Sequence, residues 1–586
     1  MVRTRGLHPR DKVADYQARG WWTDEVLDEV YLARVAERGD ALALVDPANR
    51  VDLDGAPPRR LTWRELDDEV HHLAARLLEL GLRRGDVLAV QQPNTVELVE
   101  TYLAAWLLGV VVTPLAVPYR EHELVSMVGR AEASVLLVAP RCGERDLLAD
   151  AQDAVRTLPL VRHLATLASA PAGHRTPAAA DATEPVRRLV TAPASPADRA
   201  AVAAHRAETG RHDPDDAMTI CWTSGTEAEP KGVPRTHLEW LAGSWAGVDA
   251  PQLTQGDVIL NPFPLVNMAA FVGLLLPWLR TGCVLVQHHP FDLPTFLGQV
   301  ATERVSYTVM PPALLTVLLH NEQLLAQADL SSLTRVGSGS APLPPSMVAG
   351  WQERGVGVIN FFGSNEGVGL LSSPADLPDP QERARFFPNF AVPGPPGHRW
   401  SSRIGDWVQV RLVDLATGED VTTPGVPAEL RVDGPTVFPG YLGDETGSAF
   451  DERGWLRTGD LFEIAGDHGQ FLRYVDRARD VVIRGGHNIA PAEVEALVAT
   501  HPAVAEVAVV GDPDEVLGER LAAVVALRPG ATLTLEEVRA HLETQHVARV
   551  KLPERLEVVD ALPRNPVGKV LKRQLRRTAA APPLTS

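Results

Sequence analysis

The sequence predicts an α/β protein with a large N-terminal domain of two α/β subdomains and a small β subdomain, followed by a small α+β C-terminal domain. Three observations lead there. Residues 62–118 alternate helical and strand patterns, and the rhythm resumes from 217. Residues 405–475 change to short strands separated by turns. After 480 a compact unit of about 100 residues begins, large enough for a domain of its own.

In order along the chain, "TWRELDDEVHHLAARLLELG" carries apolar residues at helical spacing and stops at Gly81. "DVLAVQQPN" reads as a buried strand, "TVELVETYLAAWLLG" as a second helix and "VVVTPL" as a second strand. This β-α-β order implies a parallel sheet with helices packed on it. Residues 169–216, rich in Ala, Pro, Thr and Arg, are expected to form a long surface loop or mobile connection. "RVSYTVMPPALLTVLL" and "GVGVINFFG" restore the α/β rhythm, and "AELRVDGPTVFPGYLG" belongs to the β region. At the end come helix "APAEVEALVATH", strands "VAEVAVVG" and "RLAAVVALR", and helix "TLEEVRAHLETQ".

Composition excludes several classes of function. With 586 residues the chain exceeds one core. A formal net charge of −19 argues against a general binder of nucleic acid or anionic membrane. Three separated cysteines, Cys142, Cys221 and Cys283, suit neither a disulfide framework nor a thiolate metal site. The opening residues have no apolar run, and "MAAFVGLLLPWL" (268–279) is too short to span a bilayer. A cytoplasmic protein is expected. Adjacent pairs His71–His72 and His288–His289 lack the i, i+4 spacing of a helical metal site.

Only five of the 56 basic residues are lysines: Lys12, Lys231, Lys551, Lys569 and Lys572. A lysine in so arginine-rich a chain marks a place where a compact point charge is wanted and a planar fork is not. Two of them sit in glycine- and proline-flanked segments, "EPKGV" and "PVGKV". The first closes "TICWTSGTEAEPKGVPRTH" (219–237), whose spacing from Gly225 to Lys231 matches a Walker A loop. Pro230 replaces the second glycine, and Gly232 stands where a Mg²⁺-binding hydroxyl belongs, which disfavours a P-loop NTPase. The stretch reads either as an ordinary turn or as a polyphosphate cradle of backbone N–H groups, Thr223, Ser224, Thr226 and Lys231.

Four further stretches decide between these readings: "FFGSNEG" (361–367), "RGWLRTGDL" (453–461), "DRARDVVIRGGHNIAPAEVE" (476–495) and "PRNPVGKVLK" (563–572). With the 219–237 loop, in this order, they closely resemble the adenylate-forming superfamily of acyl-CoA synthetases, aryl-acid ligases, peptide-synthetase adenylation domains and luciferases. The resemblance runs from about 25 to 575 and is closest to bacterial acyl-CoA ligases. It implies an N-terminal adenylation core, 1–478, hinged to a mobile C-terminal domain, 479–586, that carries a catalytic lysine. It also implies a reaction: a carboxylic acid and Mg·ATP give acyl-AMP and pyrophosphate, and the acyl group then passes to coenzyme A.

What the resemblance implies residue by residue follows the motifs. Lys569 would bridge the carboxylate and the α-phosphate. Glu366 would hold Mg²⁺, a hard cation that takes oxygen ligands. Thr223, Ser224, Gly225, Thr226 and Lys231 would cradle pyrophosphate. Gly339, Ser340 and Ala341 of "GSGSAPL" would wall the adenine, Phe362 would stack on it, and Gly363, Ser364 and Asn365 would complete the loop. Asp460 would accept from the ribose hydroxyls, and Arg477 would contact ribose or α-phosphate. Arg479 occupies the hinge, where the family has Asp or Lys, and Gly485–Gly486 would lie near the pantetheine path.

Three departures stand out: Glu227 and Ala228 replace a Thr-Gly pair, Asn365 stands where Thr is common, and Ala428 where Gly is common. Glu227 and Glu229 are expected to point outward, since an inward carboxylate would repel phosphate. The acid would lie between "NPFPLVNMAAFVG" (261–273), the stretch before Gly339 and the "FFGSNEG" loop. Gly337 would leave room, Asn267 would gate, and Trp222, Met268 and Phe271 would supply apolar walls. No aspartate greets an α-ammonium group at "NPFPL", so a hydrophobic alicyclic, aromatic or medium-chain acid is expected. Two alternatives remain: transfer to a carrier protein or partner acting in trans, and a non-catalytic acyl-adenylate-binding module.

Overall fold

A computed structural model describes residues 3–168, 186–223, 230–392, 400–444, 447–484, 487–514, 517–545, 547–564 and 570–579. The α/β part of the chain builds two mainly parallel sheets, which share strands across the two stretches of α/β rhythm. The first has seven strands in the order Gly232–Thr236, Ala217–Trp222, Val111–Pro114, Val87–Gln91, Val135–Val138, His163–Ala168 and Val186–Val190. The second runs Gly367–Ser372, Gly357–Ser364, Arg335–Gly339, Tyr307–Val309, Val258–Asn261, Val284–Gln287, Leu42–Val45 and Arg60–Thr62. Antiparallel partners occur at the Gly232–Thr236 edge of the first and at both edges of the second.

Local sequence explains the elements that carry these sheets. Helix Trp63–Glu79 begins with a capping box between Thr62 and Glu65, which satisfies two orphan N–H groups, and ends before Gly81, whose φ is +80°. Helix Val96–Leu107 is buried at every position, and its Glu97 is paired there with Arg50 at 2.9 Å and Arg59 at 3.2 Å. The 268–279 segment is likewise internal. Short helix Met268–Ala270, a π-helical turn Phe271–Leu275 and helix Leu276–Thr281 follow one another without a break. Trp278 of this segment stacks on Trp63 at 4.7 Å, which joins the two α/β regions through one core.

The described part of 169–216 is not a loop, which corrects the expectation above. Val186–Val190 is the edge strand of the first sheet, and Pro196–Thr209 is a helix with a Ser195–Asp198 capping box and proline in its first turn. Its face toward helix Trp63–Glu79 is held by charge more than by apolar periodicity. Asp198 meets His72 at 3.2 Å and Arg76 at 2.6 Å, and Arg199 meets Asp67 at 3.0 Å. A search for apolar spacing passes over such a helix. Residues 169–185 lie outside the described residues.

The third sheet is antiparallel, in the order Phe386–Pro388, Phe471–Arg477, Leu456–Ala465, Ala428–Asp433 and Gln409–Val413. The fourth, in the C-terminal region, pairs His487–Ile489, Val482–Arg484, Gly518–Leu527 and Val504–Asp514, with Arg555–Val559 parallel to Gly518–Leu527. Helices Pro491–Val498 and Leu535–Thr544 cover it with their own apolar cluster. Arg479 lies between the last strand of the third sheet and the first of the fourth. There Asp476 accepts from the Ala492 N–H at 2.8 Å, and Arg576 donates to the Arg479 carbonyl at 3.2 Å. No described helix is long and apolar enough to cross a membrane.

Candidate active site

Two strands set the position of the cleft. Ala217–Trp222 of the first sheet runs out into the 223–231 loop, and Gly357–Ser364 of the second runs out into Asn365 and Glu366. Both segments leave the carboxyl ends of parallel strands, where α/β sheets bind ligands. The base of the loop is closed by two hydrogen bonds: the Thr223 N–H donates to the Lys231 carbonyl at 3.0 Å, and the Lys231 N–H donates to Thr223 Oγ1 at 3.0 Å. Ser224, Gly225, Thr226 and the acidic pair Glu227 and Glu229 lie outside the described residues.

Asn365 joins three segments. Its Nδ2 donates to the Trp222 carbonyl at 2.9 Å, its Oδ1 accepts from the Met268 N–H at 2.9 Å, and its own carbonyl accepts from Arg235 Nη1 at 3.2 Å. The amide therefore donates to the phosphate-loop strand and accepts from the helix beside the expected acid site. A single hydroxyl oxygen could not stand at both positions.

Glu366 is tied on the other side. Its backbone carbonyl accepts from the Phe438 N–H at 2.8 Å, and its Oε1 accepts from the Tyr441 hydroxyl at 2.7 Å. The same Tyr441 ring lies under the Lys231 ammonium, 4.6 Å from its centroid, and the Leu442 N–H donates to the Gly232 carbonyl at 2.9 Å. One tyrosine thus fixes the carboxylate and holds the loop lysine by a cation–π contact. A lone, half-buried carboxylate of this kind fits a Mg²⁺ ion that draws its other ligands from phosphate and water. Among the described residues no cluster of three or more His, Cys, Asp or Glu side chains offers an alternative cage.

Arg235 supports this arrangement from below. It is fully buried, its Nη2 donates to the Thr436 carbonyl at 2.9 Å, and its guanidinium lies 4.9 Å from the Trp240 ring centroid. Burial pulls its pKa down, against the opposing pull of Glu239, Cys221 and Glu366. Sequence reading missed both Arg235 and Tyr441. "PGYLG" and "VPRTH" were the signals available, but nothing local in either points to Glu366.

Where the nucleotide is expected, Asp460 and Arg477 face each other across adjacent strands, with Arg477 Nε 3.1 Å from Asp460 Oδ1. Burial lowers the Arg477 guanidinium, but Asp460, Tyr474, Asp480 and Glu366 outweigh it and hold the pKa above its ordinary value. Gly339 lies against strand Gly357–Ser364. A Cβ added there would fall 2.3 Å from the Phe361 carbonyl oxygen, so only glycine allows this approach. Ser340 follows with a left-handed φ of +66°, and Ser340, Ala341, Gly363 and Ser364 are exposed around the opening. Phe362 is half-buried, edge-on to Phe462 at 4.9 Å and near Phe387 and Tyr474.

Around the expected acid site, Asn267 caps its helix by accepting from the Ala270 N–H at 3.2 Å, and Met268 is buried beside it. Gly337 is buried on the sheet face below. Two proposed walls need correction. The Phe271 ring stacks on Trp240 at 4.9 Å and on Tyr102 at 5.6 Å, so it is committed to the core. The Trp222 indole packs in the cluster on the other side of the first sheet and donates to Thr113 at 2.8 Å, while only its carbonyl meets Asn365. Lys569, Gly485 and Gly486 lie outside the described residues.

Residues 32–442 match the AMP-binding enzyme family, and residues 493–569 match the AMP-binding enzyme C-terminal domain. The chain belongs to the AMP-binding enzyme family. A medium-chain fatty-acid–CoA ligase of Escherichia coli is 30% identical over 571 residues, covering 96% of this chain and 92% of that protein. A Mycobacterium tuberculosis CoA ligase named for a methyl-dioxo-octahydroindenyl propanoyl group is 33% identical over 529 residues, covering 89% and 94%. The crystal structure of ATP-bound MatB from Rhodopseudomonas palustris is 26% identical with a TM-score of 0.72, covering 94% and 98%. Membership places the chain among adenylate-forming enzymes whose relatives are acyl-CoA ligases.

Proposed function

We propose that the protein activates a hydrophobic carboxylic acid with Mg·ATP and transfers the acyl group to coenzyme A. The observation that carries this reading is the joining of Lys231 and Glu366 through Tyr441, with Asn365 linking both to the acid side. A cation for phosphate and an anion for Mg²⁺, each fixed against the other, suit a site where polyphosphate charge is neutralised beside an acid. When bound, Mg²⁺ would supply charge neutralisation at the phosphates, with Glu366 as its protein ligand.

In the first half-reaction a carboxylate oxygen bonds to the α-phosphorus and the bond to pyrophosphate breaks. The 223–231 segment would hold the departing phosphates, Asp460 the ribose hydroxyls and Arg477 the ribose or α-phosphate. Lys569 would bridge the two reacting anions, converting an encounter between like charges into a positioned one. In the second, the thiol sulfur bonds to the carbonyl carbon, the acyl–phosphate bond breaks, AMP departs and the thiol proton goes to solvent. Arg479 would serve as the hinge for that change of lid, with the boundary between 478 and 479, and Gly485–Gly486 would border the thiol path. The relatives' acids, a medium-chain fatty acid and an alicyclic propanoate, support a hydrophobic substrate.

The test is to incubate the protein with Mg·ATP and a panel of carboxylic acids, with and without coenzyme A, and weigh the products. Acyl-CoA formed only when the thiol is present supports the proposal. Acyl-AMP accumulating in both tubes assigns the second step to a carrier or partner. No AMP or pyrophosphate from any acid refutes the reading. Lys569→Ala is expected to abolish acyl-AMP formation while leaving thioester formation from supplied acyl-AMP largely intact.

A further inference from the structure

Beneath the expected acid site lies a buried polar group, the Tyr307 hydroxyl. Tyr307 is 0% exposed, and its hydroxyl has no hydrogen-bond partner among the described residues. Buried phenols ordinarily find one, because a desolvated hydroxyl left unpaired is costly. Its position is specific. Tyr307 and Val309 share a sheet face with Gly337 and Gly339 of the next strand, in the register Tyr307 to Arg335 and Val309 to Gly337. Although Tyr307 is level with Arg335, its hydroxyl would stand only 2.9 Å from a Cβ at Gly337. The side chain therefore leans toward the carboxyl ends of the strands, where the cleft opens.

The surroundings of that hydroxyl are apolar. The ring of Phe361 and a methyl of Val309 converge on the same position at Gly337, at 3.0 and 3.1 Å from the added Cβ. The π-helical turn Phe271–Leu275 covers this face, with Gly273 close enough that a Cβ there would lie 3.2 Å from Val309. The absence of a side chain at Gly337 thus gives the phenol oxygen its place, and burial holds the Tyr307 pKa far above its ordinary value, so the proton stays on as a donor.

We infer that Tyr307 is a specificity-determining residue, and that the acid it selects carries an oxygen function, a carbonyl or hydroxyl, at the end of an apolar body remote from its carboxylate. The inference rests on the proposed function, since it names the acid activated at the same site. An oxygenated acid completes the hydrogen bond of the phenol. A hydrocarbon acid of the same shape leaves it unmade, which is the situation in which binding sites discriminate most strongly.

The experiment measures kcat/KM for pyrophosphate release with matched acids: phenylpropanoate and its para-hydroxy derivative, cyclohexylacetate and its 4-oxo derivative, and octanoate and its terminal hydroxy derivative. The wild type is expected to prefer at least one oxygenated member by about 10-fold or more. Tyr307→Phe, which keeps shape and ring, is expected to reduce that preference to within about twofold while leaving activity with the hydrocarbon acids unchanged or raised. Thermal unfolding of ligand-free Tyr307→Phe should match or exceed wild type, because the substitution deletes an unpaired group.

Equal use of both members of every pair by the wild type overturns the inference and leaves the ligase reading standing. A preference that persists in Tyr307→Phe overturns it as well, and so does a destabilised variant with its preference intact, which would assign the phenol to the core. If no acid in the panel or beyond it yields pyrophosphate, the failure belongs to the proposed function itself.

Discussion

Replacing Asn365 with alanine tests whether one amide holds the 223–231 loop, the Glu366 segment and the helix that begins at Met268 together. Two hydrogen bonds disappear, to the Trp222 carbonyl and from the Met268 N–H, each 2.9 Å long. A hydrogen bond is worth about 1 kcal/mol net, and a partner left unsatisfied in a part-buried place costs about 1–3 kcal/mol. The two together give an expected loss of about 2–3 kcal/mol, read by urea denaturation at constant m-value. Asn365→Asp keeps the acceptor for Met268 but sets a carboxylate oxygen against the Trp222 carbonyl, so it should lose at least as much. Asn365→Thr can restore one contact and should fall between. If the same geometry positions Glu366, ATP–pyrophosphate exchange in Asn365→Ala should drop by about 30-fold or more, the equivalent of about 2 kcal/mol. An Asp variant as stable and active as wild type would show that the amide N–H makes no bond to Trp222 and that Asn365 is not a bridge.

Tyr441→Phe removes the hydroxyl that donates to Glu366 and keeps the ring beneath Lys231. A charge-assisted bond of about 1.5 kcal/mol predicts an exchange rate lowered about tenfold, whereas Tyr441→Leu should lower it further by removing the cation–π contact. Gly339→Ala would put a Cβ 2.3 Å from the Phe361 carbonyl, forcing the strands apart. The expected cost is about 1–3 kcal/mol in stability with a raised KM for ATP, and an unperturbed KM would contradict the close approach. His237 is fully buried, accepts from the Leu27 N–H at 2.9 Å, and has its pKa pushed down from 6.5 to about 3 by burial. Between those values the unfolded chain binds a proton that the folded protein refuses, so stability falls as pH drops below 6.5. At pH 5 the contribution is about 2 kcal/mol, and His237→Gln, which keeps an acceptor and does not titrate, should flatten that part of the stability–pH curve.

The segments that meet at the cleft are legible in the sequence, because each is a local pattern. The 223–231 loop, "GSGSAPL", "FFGSNEG" and the Asp460 turn announce themselves by residue type and spacing. The groups that hold them are not legible. Arg235 looks like any arginine in a strand until burial and the Asn365 and Thr436 carbonyls surround it. Tyr441 lies 75 residues from Glu366, so only the packing of the third sheet against the second brings them together. Apolar residues were the least readable. Phe271 and Met268 sit three positions apart on one helical segment, and both are buried in one core, Phe271 stacked on Tyr102 and Trp240 and Met268 meeting Asn365 through its backbone N–H. Helix Pro196–Thr209 escaped for a related reason: its docked face is held by Asp198 and Arg199.

The ties to Glu366 also bear on how a loop can be adaptable and a site still accurate. The 223–231 segment departs from the family pattern at Glu227 and Ala228, losing a hydroxyl and a permissive glycine. Both residues lie outside the described residues, and the described contacts are those that fix the ends of the loop. Thr223 and Lys231 close its base through a backbone bond and the Thr223 hydroxyl, Asn365 holds the carbonyl that precedes it, and Tyr441 holds the lysine that ends it. Among the described residues, Lys231 and Glu366 are therefore positioned by segments distant in sequence. On this reasoning Glu227→Thr combined with Ala228→Gly should leave ATP binding unweakened. Asn365→Ala and Tyr441→Phe, substitutions outside the loop, should be the ones that damage the phosphate site.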